Sequence, residues 1–289
     1  MTTTLLLVDL QKDFHPGGSL AIPTADDDAC RIVQLIRTHS SKIDRVVATL
    51  DSHHKLHIAH PCFWWDAEGK HHPEPFTIIS HDDVMSGKWK PRSKLALVDC
   101  DLTAFQVATN DDHDDVTLDL REYAKEYTKR LEAKGRFQLC IWPEHCLIGT
   151  DGHAMVDSVR QALNDWSDAT GGSVEFVWKG QNLLTEMYSA LEADVPVSRD
   201  TSFNQPLLDS LTKSSTLLVC GQAMSHCVNY TLRDIVHKWP LDRRKDITLL
   251  TDCASAVPGF EDAAAQFQQD METAGIRLAV ASNAFDLTD

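Results

Sequence analysis

The chain has 289 residues, of which 43% are hydrophobic, and it carries a formal net charge of −16 at pH 7. Its length suffices for one large hydrophobic core, so we expect a single domain over residues 1–289 with room for an insertion. The acidic balance repels nucleic acid and anionic membranes, which favours a small molecule or a protein as partner. We expect no signal peptide and no membrane-spanning run, because the apolar stretches are too short for either.

Eight cysteines in a chain of this length do not form the dense framework of a disulfide-stabilised secreted domain. We therefore expect a reduced, cytoplasmic setting, in which thiol groups remain free to react. Any nucleophilic role for a cysteine depends on this setting, because the reacting thiol must stay unpaired.

The first apolar run, TLLLVD at residues 4–9, is typical of a strand buried on both faces, and it ends in the carboxylate of Asp9. A Pro-Gly-Gly sequence at residues 16–18 predicts a loop after this strand. Open parallel sheets bind ligands at the carboxyl ends of their strands, so Asp9 is a candidate site residue. Taken alone, an acid in this position is also typical of a turn.

A helical pattern covers residues 26–43, and a second strand, RVVATL, follows at residues 45–50. Asp51 and His53 come directly after this strand, with a spacing that puts both side chains on one face of an extended chain. A carboxylate and an imidazole so placed suit Zn²⁺ or another first-row divalent metal. The alternative is a solvated loop that happens to be rich in histidine.

The strand–helix alternation is interrupted after this point, and we predict an insertion over residues 61–136. This range contains Trp64 and Trp65, a strand-like run at residues 94–98, an acidic tract at residues 111–115 typical of a solvated loop, and a helical pattern at residues 118–134. Loops on a rigid scaffold usually determine specificity. We therefore predict that the insertion forms a lid over the site, with a contact between subunits as the alternative.

The run FQLCIW at residues 137–142 is strand-like, and His145 follows it closely. This histidine can supply a third metal ligand beside the earlier carboxylate and imidazole. Two histidines and one carboxylate leave coordination positions open for water or substrate, as in catalytic sites. Glu144 and Cys146 are competing ligands that the sequence does not distinguish from His145.

A helix is predicted over residues 155–166, and a strand, SVEFVW, over residues 173–178. Lys179 follows that strand, and lysine is almost never fully buried without a partner. Asp9 would provide such a partner, and the ammonium would add positive charge near a thiolate. An ordinary exposed lysine before a turn is the alternative. A short helix is predicted at residues 186–189.

The most informative stretch is LLVCGQAMSHCVNYT at residues 217–231. It begins as a buried strand, turns at Gly221 and continues into a helix predicted at residues 228–236. Cys227 stands at the helix N-terminus, where the dipole and the free N–H groups favour a thiolate and can hold an oxyanion. A buried structural cysteine is the alternative.

Strands at residues 246–252 and 276–281, with a helix at residues 256–274 between them, complete the chain. Alternating strands and helices are typical of a doubly wound, mostly parallel α/β sheet with helices on both faces. The candidate residues at the strand ends would then meet along one edge of the sheet. That convergence predicts an active site.

Several separated motifs of the chain resemble those of the isochorismatase-like cysteine hydrolases, and of the nicotinamidases among them. The motifs are VDLQKDFHPGGSL, LDSHH, WPEHCLIGTDG, WKG with the later EMYS, and CGQAMSHCVNYTLRD. The resemblance implies the isochorismatase-like hydrolase fold and a metal-assisted hydrolase that cleaves the C–N bond of a linear amide. It also implies a catalytic triad of Asp9, Lys179 and Cys227.

The resemblance further implies a metal site, a substrate pocket and a cis peptide bond near Gln222-Ala223. The implied ligands of a divalent metal, zinc by preference, are Asp51, His53 and His145. In the pocket, the rings of Phe14 and Trp142 would stack on a flat substrate. The backbone N–H groups of Ala223 and Cys227 would hold the oxyanion.

The chain departs from the usual pattern of this family in several places. The span that we predict as an insertion is longer than usual, and Ser225 and His226 stand where many relatives carry an acidic and a variable residue. No residue aligns cleanly with a fourth metal ligand, for which His57 and His60 are both candidates. These departures leave the substrate open while preserving the chemistry.

The expected reaction is hydrolysis of a small, nicotinamide-like carboxamide to the acid and ammonia through a thioester on Cys227. Another small amide or an N-carbamoyl compound is an alternative substrate. Hydrolysis of a vinyl ether is disfavoured, because that reaction uses no nucleophilic cysteine. A non-catalytic binding protein on the same fold is a further alternative, and a homo-oligomer is compatible with the sequence.

Overall fold

The computed structural model describes residues 2–95 and 118–286. The predicted strand at residues 94–98 lies partly outside these ranges, and the acidic tract at residues 111–115 lies wholly outside them. Within the described ranges, every helix is too short or too polar to cross a membrane.

Ten strands and seven α-helices alternate along the described chain. The strands are β1 Thr3–Val8, β2 Arg45–Asp51, β3 Trp64–Asp66, β4 Ile78–Ile79, β5 Trp89–Pro91, β6 Leu139–Cys140, β7 Glu175–Lys179, β8 Thr216–Gly221, β9 Ile247–Leu250 and β10 Arg277–Ala279. The helices are α1 Ala25–Thr38, α2 His81–Met85, α3 Leu120–Lys134, α4 Asp157–Thr170, α5 Gln205–Leu211, α6 Cys227–Lys238 and α7 Glu261–Thr273.

Six of the strands form one central sheet in the order β10-β9-β8-β1-β2-β7. All of its neighbouring strands pair in parallel. Strands β1 and β8 lie in the middle, and their continuous apolar sequences are buried on both faces. The fold class is therefore the doubly wound parallel sheet expected from the sequence.

The two faces of the sheet carry separate hydrophobic cores, as strand periodicity requires. Leu5 and Leu7 of β1 pack into the core that also contains residues of α1 and α4. Leu6 and Val8 point the other way, into the core shared with α6 and α7. Helices thus cover both faces, and the carboxyl edge of the sheet is left for the loops.

The strand register brings the candidate residues to that one edge. Val8 pairs with Gly221 at the ends of β1 and β8, and Asp51 pairs with Lys179 at the ends of β2 and β7. Asp9 is the next residue after β1. Helix α6 begins at Cys227, shortly after β8 ends.

The segment at residues 137–142 does not join the central sheet. Only Leu139–Cys140 are extended there, and they pair antiparallel with Ile78–Ile79. The pairing partner comes from the range that we predicted as an insertion. Trp142 is still held beside the carboxyl edge, because its backbone N–H donates to the carbonyl of Ala59.

The short helix predicted at residues 186–189 is wrong, because this segment is an extended loop. Its backbone N–H groups bond to side chains instead of to a helical turn. Glu186 N–H donates to the hydroxyl of Tyr127, Met187 N–H to the carboxylate of Glu186, and Ala190 N–H to the hydroxyl of Thr231.

Residues 61–95 form a small unit outside the sheet. Strands β3 and β5 pair antiparallel, and α2 packs against α3. Trp64 is fully buried there and donates from its indole to the carbonyl of Ile58. Trp65 stacks on His72 with 3.9 Å between ring centroids.

Gly221, at the end of β8, has no room for a side chain. Its φ is +121°, and a Cβ there would lie 2.0 Å from the carbonyl oxygen of Val8. Gly221→Ala should lower the free energy of unfolding by about 3 to 5 kcal/mol, through the clash and the strained φ. Gly171→Ala is the matched control, since its φ is +73° with open space around it, and it should cost about 1 kcal/mol. Equal losses for both variants in urea unfolding would contradict this account.

Candidate active site

A buried ammonium, that of Lys179, lies at the centre of the site. Its Nζ is 2.9 Å from Oδ2 of Asp9, 3.0 Å from Oδ1 of Asp51 and 3.5 Å from Sγ of Cys227. The same nitrogen donates to the carbonyl of Met187 at 3.3 Å. The structure therefore brings the three residues of the expected triad into contact, and it adds Asp51 to them.

The two carboxylates beside Lys179 have opposite pKa shifts. Burial raises the pKa of Asp9, against the attraction of Lys179 and together with the repulsion of Asp51. For Asp51, burial is outweighed by the charges of His53 and Lys179, which hold the pKa of its carboxyl well below the usual range. Asp51 is thus a stable anion, whereas Asp9 is the stronger base.

The protonation of Cys227 differs from the thiolate expected at a helix N-terminus. Burial raises the pKa of the thiol well above its usual range, although Lys179 lowers it, and the Asp9 and Asp51 carboxylates raise it further. The sulfur lies 3.5 Å from the ammonium nitrogen of Lys179. The raised pKa of both groups favours a protonated thiol beside the carboxyl of Asp9.

The turn between β8 and α6 presents free backbone donors next to the sulfur. The Gln222-Ala223 peptide bond is cis, as expected. Cys227 is the first residue of α6, so its N–H has no partner within the helix. Among the described residues, neither this N–H nor that of Ala223 donates to a backbone carbonyl. Both remain available to an oxyanion.

The second group in the site is a set of metal-ligand side chains. One ligand atom each from Asp51, His53 and His145 lie within 4.8 Å of one another, and all three residues are buried. Oδ2 of Asp51 is 3.0 Å from Nε2 of His53 and 3.3 Å from Nε2 of His145. One carboxylate and two imidazoles in this arrangement fit a divalent metal with open coordination positions.

Hydrogen bonds on the outer side of each imidazole support this assignment. Nδ1–H of His53 donates to the carbonyl of Gly180 at 3.0 Å, and Nδ1–H of His145 donates to the carbonyl of Pro143 at 2.8 Å. With Nδ1 so engaged, the Nε2 atom of each ring faces Oδ2 of Asp51, where these imidazoles would bind a metal. Gly180 lies close to the imidazole ring of His53, since a Cβ at this position would be 2.8 Å from Cε1 of that ring.

His57 and His60 form a second candidate metal group with His53, and of these two candidates for a fourth ligand only His60 has a free ring nitrogen among the described residues. Its Nδ1–H donates to the carbonyl of Lys55, and its buried Nε2 has no hydrogen-bond partner. Burial, with the charges of His53 and His145, lowers the pKa of His60 to about 3, so the ring is neutral. Both ring nitrogens of His57 are engaged, by the carbonyl of Thr185 and the N–H of Ala59.

Glu144 and Cys146, the competing ligands that the sequence offered, lie outside this metal-ligand set. Glu144 lies 3.6 Å from the ammonium of Lys55, with its side chain 32% exposed. Cys146 is fully buried, and burial raises the pKa of its thiol well above the usual range. Neither belongs to a candidate metal group among the described residues.

A pocket opens directly above this chemistry. Its wall includes the predicted substrate-binding residues Phe14, Trp142 and Ala223, next to His145 and Cys227. Trp142 is almost fully buried, and the ring of Phe14 makes an edge contact with that of His145. The pocket is therefore a narrow aromatic slot with the sulfur and the metal-ligand residues at its base.

Five residues of the pocket wall are not among the site residues predicted from the sequence, and they are Leu20, Glu186, Tyr188, His226 and Val257. Tyr188 accepts a hydrogen bond from the indole N–H of Trp142 at 2.8 Å. Glu186 is buried, and burial raises the pKa of its carboxyl. His226 contacts the rings of Trp142 and Tyr188. For Glu186 and Tyr188 the signal in the sequence is the motif EMYS at residues 186–189.

Comparisons with known proteins give relatives over nearly the whole chain. No protein-family model matches it. A curated relative, the nicotinamidase of Escherichia coli (strain K12), is 24% identical over 276 residues, which cover 95% of this chain and 92% of the relative.

Solved structures of nicotinamidases and pyrazinamidases share the fold. A nicotinamidase/pyrazinamidase of Acinetobacter baumanii superposes with a TM-score of 0.61 at 20% identity, covering 98% of this chain and 97% of the other. The yeast nicotinamidase bound to nicotinaldehyde gives 0.61 at 19% identity, with coverages of 96% and 100%. The pyrazinamidase of Pyrococcus horikoshii in complex with zinc gives 0.53 at 18% identity, with coverages of 97% and 99%. The expected resemblance to nicotinamidases is confirmed.

The metal-ligand set makes a direct prediction about binding. His60→Ala should raise the dissociation constant for Zn²⁺ more than about tenfold, and His145→Ala should do the same. His54→Ala is the matched control, because His54 lies in the same loop but is exposed. Isothermal titration calorimetry on the metal-free protein measures the three constants. If His60→Ala binds as tightly as His54→Ala, then His60 is not a ligand.

Proposed function

We propose that this protein is a metal-dependent cysteine amidohydrolase that cleaves a small, nicotinamide-like carboxamide to the carboxylic acid and ammonia. The observation that carries the proposal is the contact of one buried ammonium, Lys179, with the carboxylate of Asp9 and the sulfur of Cys227. These groups lie beneath an aromatic slot beside a metal-ligand set. The likeness to nicotinamidases in sequence and fold supports the same reaction.

The first half of the reaction forms a thioester. Asp9 takes the thiol proton of Cys227, and Lys179 stabilises the developing thiolate with its charge. The sulfur attacks the amide carbon, and the N–H groups of Ala223 and Cys227 hold the oxyanion. Asp9 then returns the proton to the amide nitrogen, the C–N bond breaks, and ammonia leaves.

The second half releases the acid. Asp9 accepts a proton from a water molecule, whose oxygen attacks the thioester carbon. The C–S bond breaks, the carboxylic acid departs, and the proton on Asp9 returns to the sulfur. The raised pKa of Asp9 suits both halves, since the same carboxyl must accept and donate a proton in each turnover.

The metal that we propose is zinc, held by Asp51, His53 and His145, with His60 as a fourth ligand. The donor set of carboxylate and imidazole suits zinc, and a pyrazinamidase of this fold was solved with zinc. When bound, the metal would polarise a ligand or lower the pKa of a coordinated water. A ring nitrogen of the substrate would then lie towards Asp51 and His145, which belong to the pocket wall.

The aromatic slot suits a flat ring. We propose that Phe14 and Trp142 stack on the substrate, with the carboxamide pointing to Cys227. The structure of a related yeast nicotinamidase with nicotinaldehyde supports a ligand of this type.

We place the reaction in the cytoplasm. The seven cysteines within the described residues are all free, as in a reducing compartment. The net charge of −16 disfavours binding to nucleic acid or anionic lipid. A small amide is therefore the partner that we propose.

Removing the nucleophile tests the covalent route. Cys227→Ala should lower the rate of ammonia release from nicotinamide at least about 10³-fold, because only this sulfur can form the thioester. Cys30→Ala, which removes an exposed thiol, should keep the wild-type rate. Mass spectrometry of the quenched wild-type reaction should show an acyl adduct on Cys227. A near-normal rate in Cys227→Ala would refute the mechanism.

The role of the predicted insertion, residues 61–136, can be tested at Phe76. This ring is 50% exposed and lies 5.8 Å, edge-on, from that of Trp142, and its φ is +68°. Phe76→Ala should raise KM for aromatic amides about three- to tenfold, because an edge-to-face contact that holds Trp142 is lost. Trp65→Ala is the control, since Trp65 stacks on His72 away from the pocket wall.

The opposite pattern would reject this specificity role. If Trp65→Ala changes the ranking of amide substrates and Phe76→Ala does not, then the segment acts elsewhere than at Trp142. Loss of a dimer on a sizing column in the Phe76→Ala protein, with its kinetics unchanged, would make the segment an assembly element.

A further inference from the structure

Gln222 carries a fully buried amide and stands directly before Ala223, in the turn between β8 and α6. A buried amide is costly unless its polar ends are hydrogen-bonded. The backbone N–H of Ser255 donates to Oε1 of Gln222 at 3.3 Å, which identifies this atom as the acceptor end. The other end, Nε2, donates to Oδ2 of Asp28 at 2.8 Å. A backbone donor thus sets the orientation of the amide, and the carboxylate of Asp28 binds its remaining end.

Asp28 is a buried carboxylate to which the proposed reaction gives no direct role. It lies near the beginning of α1, and its side chain is 5% exposed. Arg31, one turn later in the same helix, donates to Oδ1 of Asp28 at 3.4 Å and to the carbonyl of Asp252 at 3.1 Å. Asp28 therefore lies between a cation of its own helix and the amide of the turn, and a charged acceptor makes the bond to Gln222 a strong one.

The backbone on both sides of Ala223 is held in place. The N–H of Gln222 donates to the carbonyl of Val8, and that of Met224 donates to the carbonyl of Ser255, both at 2.8 Å. The N–H of Ala223 itself makes no bond to a backbone carbonyl within the described ranges. Its direction is therefore determined by its neighbours, and a shift of Gln222 would move this donor.

We propose that Asp28 is a positioning residue for the oxyanion site, because its carboxylate holds the amide of Gln222 and thereby directs the N–H of Ala223. This inference rests on the proposed function. A donor that is aimed before the substrate binds stabilises an oxyanion without reorganisation. The oxyanion exists only while the amide or thioester bond is being attacked. The contact between Asp28 and Gln222 therefore contributes to kcat and leaves KM nearly unchanged.

The test reverses the polarity of this pair of side chains. Gln222→Glu replaces the donor by a second carboxylate, which repels that of Asp28. The kcat for ammonia release from nicotinamide should fall about tenfold to a hundredfold, because the oxyanion donor is displaced. Asp28→Asn alone should change kcat less than about threefold, since its amide oxygen still accepts from Nε2 of Gln222. In the double variant Gln222→Glu/Asp28→Asn, the amide at position 28 donates to the carboxylate at position 222, and most of kcat should return.

Asp27→Asn provides the matched control, because Asp27 precedes Asp28 in α1 but is exposed. The double variant Gln222→Glu/Asp27→Asn has the same net charge as the rescued protein, and it should keep the low kcat of Gln222→Glu. KM for nicotinamide should stay within about threefold of the wild-type value in all of these variants. A purely structural role would not produce this separation of kcat from KM.

An aldehyde inhibitor tests the oxyanion site without turnover. The sulfur of Cys227 adds to the carbonyl carbon of pyridine-3-carbaldehyde, the thiol proton passes to the aldehyde oxygen, and that oxygen lies where the oxyanion forms. Gln222→Glu should raise the inhibition constant of the aldehyde about tenfold or more, and adding Asp28→Asn should reverse the rise. The inhibition constant of 3-methylpyridine, which has no carbonyl, should be the same in all of these proteins.

Two results overturn the inference. One is a folded Gln222→Glu protein with the wild-type kcat, and the other is an equal kcat in the double variants that carry Asp28→Asn and Asp27→Asn. If urea unfolding shows that Gln222→Glu does not fold, Gln222→Met decides, because it removes the donor without adding a charge. It should lower kcat about three- to tenfold, and an unchanged kcat would also overturn the inference. Absence of ammonia release from every amide in the wild type would instead contradict the proposed function.

Discussion

The site depends on one buried charge, the ammonium of Lys179, whose side chain is 1% exposed. A cation removed from water needs anionic partners, and Asp9 and Asp51 provide them at 2.9 and 3.0 Å. The three residues follow or end three different strands, so the charge is compensated only when the strand register is kept. The two carboxylates then differ in pKa, which is lowered at Asp51 and raised at Asp9. One cation thus links Asp9 and Cys227 to the carboxylate of Asp51.

Two glycines allow the backbone to pack closely around the site, at positions where a side chain would clash with its neighbours. Gly221 lets β8 and the following turn lie against Val8, and Gly180 leaves room for the imidazole of His53. The loop after β7 then covers the site and directs the carbonyl of Met187 at the ammonium of Lys179. The burial of Lys179 at the sheet edge therefore depends on this loop as well as on β7, the strand that carries the lysine.

Three imidazoles of the site are oriented in the same way, by a hydrogen bond from the ring nitrogen that lies on the outer side of the site. The imidazoles of His53, His145 and His60 each donate Nδ1–H to a backbone carbonyl and present Nε2 inward. These outer partners fix the orientation of each ring before any ligand binds.

The sequence by itself determined the parallel sheet, since its continuous apolar runs fit strands buried on both faces. It also brought Cys227 to the edge that holds the other candidate residues, because the carboxyl ends of parallel strands must meet there. Only the tertiary structure distinguished the hydrogen bonds of His57 from those of His60, since these depend on which backbone groups lie nearby. It also showed the thiol of raised pKa and the place of Tyr188 in the wall. Burial and loop contacts join residues far apart in the chain, and no local pattern encodes them.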